Sequence, residues 1–234
     1  MKINITRRHL EIFITESSTT AQRNNREYEL YDDVVVLVTD SLPDTLDLPS
    51  SLREIERIIP RHLVYGLDSV FIGQFPEFKE RQINAFYRDG AIYITNEQDD
   101  DDDFIDDFVH EVAHLAESHY GSIIYGDEKV TREFLGKRQK LFHMLRAEGY
   151  KVDPKDFMQI EYSQEFDMFL FEKVGYPTLT TLTMGLFLTP YGVTSLREYF
   201  AEAFEYYFLR EPEYVRTISP VSYQKIQELM EVEQ

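Results

Sequence analysis

The sequence predicts an α+β fold. Short strand-like runs crowd into the first hundred residues, and helical periodicity fills most of the remainder. The strand–helix alternation of a doubly wound sheet is missing. With 234 residues, 43% of them hydrophobic, the chain can bury one substantial core. We expect a single domain over 1–234: an N-terminal α/β part over 1–82, a hairpin and long helix over 83–126, and a helical part over 127–234.

Taken in order, Met1–Ile14 reads as a strand or arm, and the polar Ser17–Arg26 stretch as a loop. The run Val34–Val38 (VVVLV) reads as a buried strand. Two prolines make Leu42–Pro49 irregular, and Ser51 with Glu54 forms a capping box that starts a short helix ending at Pro60. Ser69–Ile72 reads as a strand, and Asn84–Tyr87 with Ala91–Thr95 flank Arg88-Asp89-Gly90 as a hairpin. The acid run Asp99–Asp103, with Asp106 and Asp107 behind it, complements the dipole of a helix that starts there. It lacks the glycine turn of a Ca²⁺ loop. Lys129–Lys151 carries seven Lys/Arg against Glu133 and Glu148 on an amphipathic helix, whose basic face we expect to be solvated. Helices are expected over Ser163–Val174, Ser195–Leu209 and Val221–Glu231, with Tyr176–Gly192 open to either assignment.

Composition narrows the function. The formal net charge is −19, which repels nucleic-acid phosphates and anionic lipid and favours cationic peptide stretches. Cysteine is absent, which removes disulfides, thiolate metal sites and Cys nucleophiles. No apolar run reaches the roughly 18–20 residues of a membrane helix. The stretch Leu10–Ile14, broken by Glu11, is too short for a signal-peptide core. The expected setting is cytoplasmic as synthesised; leaderless export or injection would leave no mark. G-x-S-x-G, G-x-G-x-x-G and Walker A motifs are missing.

One pentapeptide carries chemistry: His110-Glu111-Val112-Ala113-His114, an H-E-x-x-H match. Phe104, Ile105, Phe108, Val109, Val112, Ala113 and Ala116 form an apolar stripe through it, so the segment is helical. Residues i and i+4 share a helix face, and His110 and His114 can each offer a ring nitrogen to one Zn²⁺. Glu111 then serves as general base on the metal-bound water. A third ligand is required. The metzincin pattern fails, because Glu117 and Tyr120 stand where Gly and His are needed. His119 is close in sequence, and Glu117 is awkwardly placed for a closed site. Glu198 and Glu202, i and i+4 among aromatic residues, are better candidates. One would bind metal and the other hold a ligating imidazole. Ser195-x-x-Glu198 is also a capping box, which would make Glu198 a helix cap and leave Glu202 as the ligand.

Tyr191-Gly192 followed by Glu198-Tyr199-Phe200-Ala201-Glu202-Ala203-Phe204 resembles the anthrax lethal factor-type metallopeptidase domain, a group that includes the Pro-Pro endopeptidases. The likeness covers roughly residues 83–234. It implies a zincin-like fold with a small mixed sheet, an active-site helix and a C-terminal helical subdomain. It implies a zinc endopeptidase of the gluzincin type: His110, His114 and Glu198 as zinc ligands, Glu111 and Tyr191 as catalytic residues, Glu202 as support for a ligand. Tyr191 would donate to the developing oxyanion. The interval from His114 to Glu198 is longer than the resemblance implies, so an insertion could reshape the cleft. Ala91–Thr95 is the expected edge strand for an extended protein or peptide substrate. Two alternatives are a catalytically silent zinc-holding docking module and an acidic interaction protein without metal.

Overall fold

The computed structural model describes residues 26–232, so the Met1–Ile14 arm and almost all of the Ser17–Arg26 loop lie outside the described residues. Five strands form one mixed sheet in the order β1-β2-β3-β5-β4. They are β1 (Glu27–Leu30), β2 (Val34–Val38), β3 (Ser69–Ile72), β4 (Ala85–Arg88) and β5 (Ala91–Ile94). The central strands β2, β3 and β5 run parallel, and β1 and β4 close the two edges antiparallel. Along β2 the side chains of Val34, Val36 and Val38 are buried while Val35 and Leu37 are half-buried, the two-residue period of a strand with one core face. The β4–β5 hairpin turns through Asp89 (φ 51°) and Gly90 (φ 82°). Two successive left-handed residues match the right-handed twist of the paired strands, which is why Asp-Gly sits there. β1 has no counterpart among the sequence expectations, since four residues give too little alternation to read.

Ala91–Thr95 is not an edge strand. β5 lies between β3 and β4, and among the described residues β4 is the outermost strand on this side. The reason is topological: β5 returns parallel to β3, so the hairpin places β4 outermost.

Helix α1 (Leu48–Ile58) begins earlier than expected. Asp47, not Ser51, is its cap and accepts from the Ser50 N–H at 3.2 Å. Pro49 sits in the first turn, where its missing N–H costs nothing. A short helix α2 (Pro76–Arg81) leads into β4. The long helix α3 (Asp101–Tyr125) starts at the acid run: Asp100 caps it by accepting from Asp103 N at 3.0 Å, and Asp101–Asp103 fill the first turn. α3 is the spine of the molecule, packing on α1, β4 and β5 and on the C-terminal helices. Phe104, Phe108, Val109 and Val112 on its apolar face are fully buried, as are Val70, Ile72, Ile92 and Ile94 of the sheet. Each such side chain contributes about 1.5–3 kcal/mol by leaving water.

Helix α4 (Lys129–Ala147) departs from expectation, because two of its cations are not solvated: Lys137 and Arg138 are buried. The Ser163–Val174 helix is split into α5 (Gln164–Met168) and a π-helical turn, Phe169–Val174. Within Tyr176–Gly192 lies α6 (Tyr176–Thr183), followed by a 3₁₀ turn over Tyr191–Val193. Helix α7 (Leu196–Leu209) is capped by Ser195. Helices α8 (Pro212–Ile218) and α9 (Pro220–Met230) close the chain against α7, and α9 also packs on α3. No helix among the described residues is long and apolar enough to cross a membrane.

Candidate metal centre

The apolar face of α3 fixes its rotation, so that His110 and His114 turn toward α7 and Glu111 toward β4. One turn apart, the two imidazoles stand with ring centroids 5.2 Å from each other. Glu198 reaches them from the first turn of α7. Its carboxylate Oε2 lies 3.0 Å from His110 Nε2 and 3.6 Å from His114 Nε2. Only half of the capping box forms. Ser195 Oγ accepts from Glu198 N at 3.1 Å, while the Glu198 carboxylate is spent on the histidines. The helix-cap alternative for Glu198 therefore fails on geometry.

The far nitrogens of both rings are also held. His110 Nδ1 lies 3.3 Å from Glu205 Oε2, and His114 Nδ1 lies 2.8 Å from Glu117 Oε2. A carboxylate at Nδ1 places the proton there and leaves the Nε2 lone pair facing inward. Glu117 is itself fixed, accepting from Arg197 Nε at 3.0 Å and from the Tyr125 hydroxyl. Glu117 thus faces the outer nitrogen of His114 rather than the space between the two rings.

Glu202 does not fill the supporting role expected of it. It is buried, makes no hydrogen bond to either imidazole, and leaves Oε2 without a partner. The helical period explains the exchange. Seven residues bring Glu205 almost back to the azimuth of Glu198, whereas four residues swing Glu202 to one side. Glu202 still lies in the cluster, since ligand atoms of His110, Glu202 and Glu205 fall within 4.8 Å of one another, as do those of His110, Glu111 and His114. These groups could hold a metal ion. His119 is excluded from the centre: its Nδ1 turns to Leu115 O, and its ring packs on Tyr65.

Burial works against charge on both histidines, but the carboxylates win. His110 is raised well above the ordinary value by Glu198 and Glu205, and His114 is raised to about 9 by Glu117 and Glu198. Burial would raise Glu198, yet its two imidazole partners hold it far below the usual range. Burial raises Glu111, against the pull of the two imidazoles and of the Tyr87 N–H, which donates to its Oε2 at 2.6 Å. Burial also pushes Glu202 to about 7, with the Glu205 charge adding to it. Tyr191, at the turn into α7, has its ring centroid 6.2 Å from that of His110. Burial first, then Glu198 and Asp167, push its phenol far up, so it stays protonated.

His110, Glu111, His114 and Glu198 are therefore brought together, with Tyr191 beside them, as the motifs predict. Sequence reasoning missed Glu205, Arg197 and Tyr125; it set Glu117 aside as a ligand, as the geometry does, but missed its contact with His114 Nδ1. A signal existed for two of these: Glu117 follows His114 by three, and Glu205 follows Glu198 by seven, both same-face spacings. Comparison of the chain with models of protein families, with curated proteins and with solved structures finds no match.

Proposed function

We propose that the protein is a zinc-dependent endopeptidase of the gluzincin type, with a zincin-like arrangement of sheet, H-E-x-x-H helix and C-terminal helices. The carrying observation is the convergence of His110 Nε2, His114 Nε2 and Glu198 Oε2 beside the Glu111 carboxylate, which accepts from the Tyr87 N–H. The donor set fits. Two imidazole nitrogens and one carboxylate suit Zn²⁺, and the 3.0 and 3.6 Å separations bracket the roughly 3.4 Å between ligands about 2.0–2.1 Å from one tetrahedral centre. With both Nδ1 atoms directed at carboxylates, the two Nε2 atoms face the Glu198 oxygen, where either protons on the imidazoles or a single bound cation would offset its charge.

When bound, Zn²⁺ would polarise the scissile carbonyl and activate a water at neutral pH. Glu111 would accept a proton from the attacking water and return it to the leaving amine. Tyr191, kept protonated, donates to the carbonyl oxygen as charge develops there. Glu205 and Glu117 hold the imidazoles in register. The substrate-pairing role proposed for an edge strand passes to β4. Its Tyr87 N–H already turns away from β5 to meet Glu111, so a peptide added along this edge would run past the centre.

A proteome-derived peptide library treated with the zinc-loaded protein and with Glu111→Ala tests the reading. New termini sharing a pattern, present only with the unsubstituted protein, are expected. A general base is worth about 10²–10⁴ in rate, so residual cleavage by Glu111→Ala should be near background. Equal product patterns from both, with zinc bound in both, would sink the mechanism.

A further inference from the structure

We propose that residues 158–184 form a second recognition surface, continuous with the metal centre, for a stretch of the protein substrate that lies away from the scissile bond and carries large apolar side chains flanked by Lys or Arg. This inference rests on the peptidase reading.

Among the described residues ten large hydrophobic side chains are exposed, and six of them fall in these 27 residues: Met158, Tyr162, Met168, Phe171, Tyr176 and Met184. Phe171 is 62% exposed and Met184 75%. The segment is nonetheless folded, with Phe166, Leu170, Val174 and Leu179 on its inner side in the core. It therefore presents apolar side chains on both faces, and only the inner set is covered. Isolated exposed hydrophobics need no explanation, but a concentration of this kind marks an interaction site. Three of the six methionines of the chain are among the six, and their unbranched side chains adapt to varied apolar partners.

The surface is firmly mounted. The buried Arg138 guanidinium donates to Asp156 O at 2.8 Å and to Gln159 O, and lies 4.3 Å from the Phe166 ring centroid. Phe171 lies on the π-helical turn, which the Gly175 N–H closes on Leu170 O at 3.0 Å. Such turns concentrate at functional sites. Phe171 and Tyr176 meet edge to face, with centroids 6.0 Å apart.

Position and charge select the occupant. Ile160 O accepts from Leu196 N at 2.8 Å, which ties the segment to the first turn of α7, two residues from Glu198. Tyr162 donates to Asp167 at 2.8 Å. The apolar segment therefore adjoins the turn of α7 that carries Glu198. Glu161, Glu165, Asp167 and Glu172 stand among the apolar groups, with Lys173 the one cation of residues 158–184. A second copy of this chain would bring the same negative charges to the contact, whereas a Lys- or Arg-bearing peptide complements them.

The test selects a phage-displayed random peptide library on zinc-loaded Glu111→Ala protein, and on the same protein with Met168→Ser and Phe171→Ser added. Both added positions are exposed, and an unchanged melting temperature verifies the fold. The expected peptides pair a large apolar residue with nearby Lys or Arg, and bind the triple variant roughly tenfold less tightly. The protein with Glu111 intact should cleave them outside that stretch, with KM raised roughly tenfold by Met168→Ser and Phe171→Ser. Enrichment without that pattern, binding indifferent to the two substitutions, or a dimer that they dissociate would each overturn the proposal. Binding that depends on both residues, with no cleavage by the Glu111-intact protein, leaves the surface assigned and overturns the peptidase reading alone.

Discussion

The molecule buries charge in two places and resolves it in opposite ways. In α4 the chain surrounds its own buried cations with neutral acceptors and rings. Lys137 Nζ donates to Ile218 O at 2.6 Å and to Ser219 Oγ at 3.0 Å, and sits 4.8 Å from the Tyr199 ring centroid. Arg138 directs its two terminal nitrogens to two carbonyls and packs its guanidinium on three aromatic rings, while its buried Nε has no hydrogen-bond partner. Between α3 and α7 the reverse holds. Glu111, Glu117, Glu198, Glu202 and Glu205 gather around two imidazoles and Arg197, and Glu202 Oε2 finds no partner. Carboxylates packed together in low dielectric raise one another's proton affinity unless a cation joins them. The α4 cations are enclosed by carbonyls and rings, whereas the carboxylates and imidazoles between α3 and α7 form a group that could hold a metal ion.

The sharpest break of that contrast is removal of the cation or of its ligand. Chelation, or Glu198→Ala, is expected to abolish tight zinc binding, and chelation should lower the melting temperature of the unsubstituted protein while leaving that of Glu198→Ala nearly unchanged. Calorimetric scans with and without chelator check this. One step out, Glu205→Gln and Glu117→Gln should weaken zinc binding by about 10–100-fold by loosening the imidazoles. Glu202→Gln should cost far less, since Glu202 holds neither ring. Competition with a zinc-binding dye would rank the three, and a Glu202 effect as large as that of Glu205 would return Glu202 to the supporting role.

Arg138→Met tests the other pole. It removes the donors to two part-buried carbonyls and should cost about 1–3 kcal/mol in urea unfolding, with zinc affinity unchanged. The smallest effect is a pH slope. Burial lowers Lys137 from 10.5 to about 8. Between about pH 8 and 10 the unfolded chain therefore holds the proton that the folded chain has released, and this lysine makes stability rise with pH across that window. Lys137→Met should flatten the rise, measured by urea unfolding at pH 7.5 and 9.5.

Much of the centre was legible in the sequence because it is local. H-E-x-x-H puts three groups on adjoining helix faces through the 3.6-residue period alone, and the apolar stripe through Phe104, Phe108 and Val112 says which face turns inward. The Asp89-Gly90 turn and the acidic start of α3 were legible for the same reason, since each is settled within four residues. The α+β class followed from where the short apolar runs lie.

Contacts across long intervals were decided by tertiary structure. Whether β4 or β5 forms the edge depends on β5 pairing with β3 some twenty residues earlier, which no hairpin signal encodes. Lys137 and Arg138 look like solvated helix cations until Ile218 and Gln159 bring carbonyls to them. The exchange of Glu202 for Glu205 turns on the azimuth at which α7 crosses α3. Periodicity names the residues that share a face, and only the packed helices settle which of them reaches the neighbour.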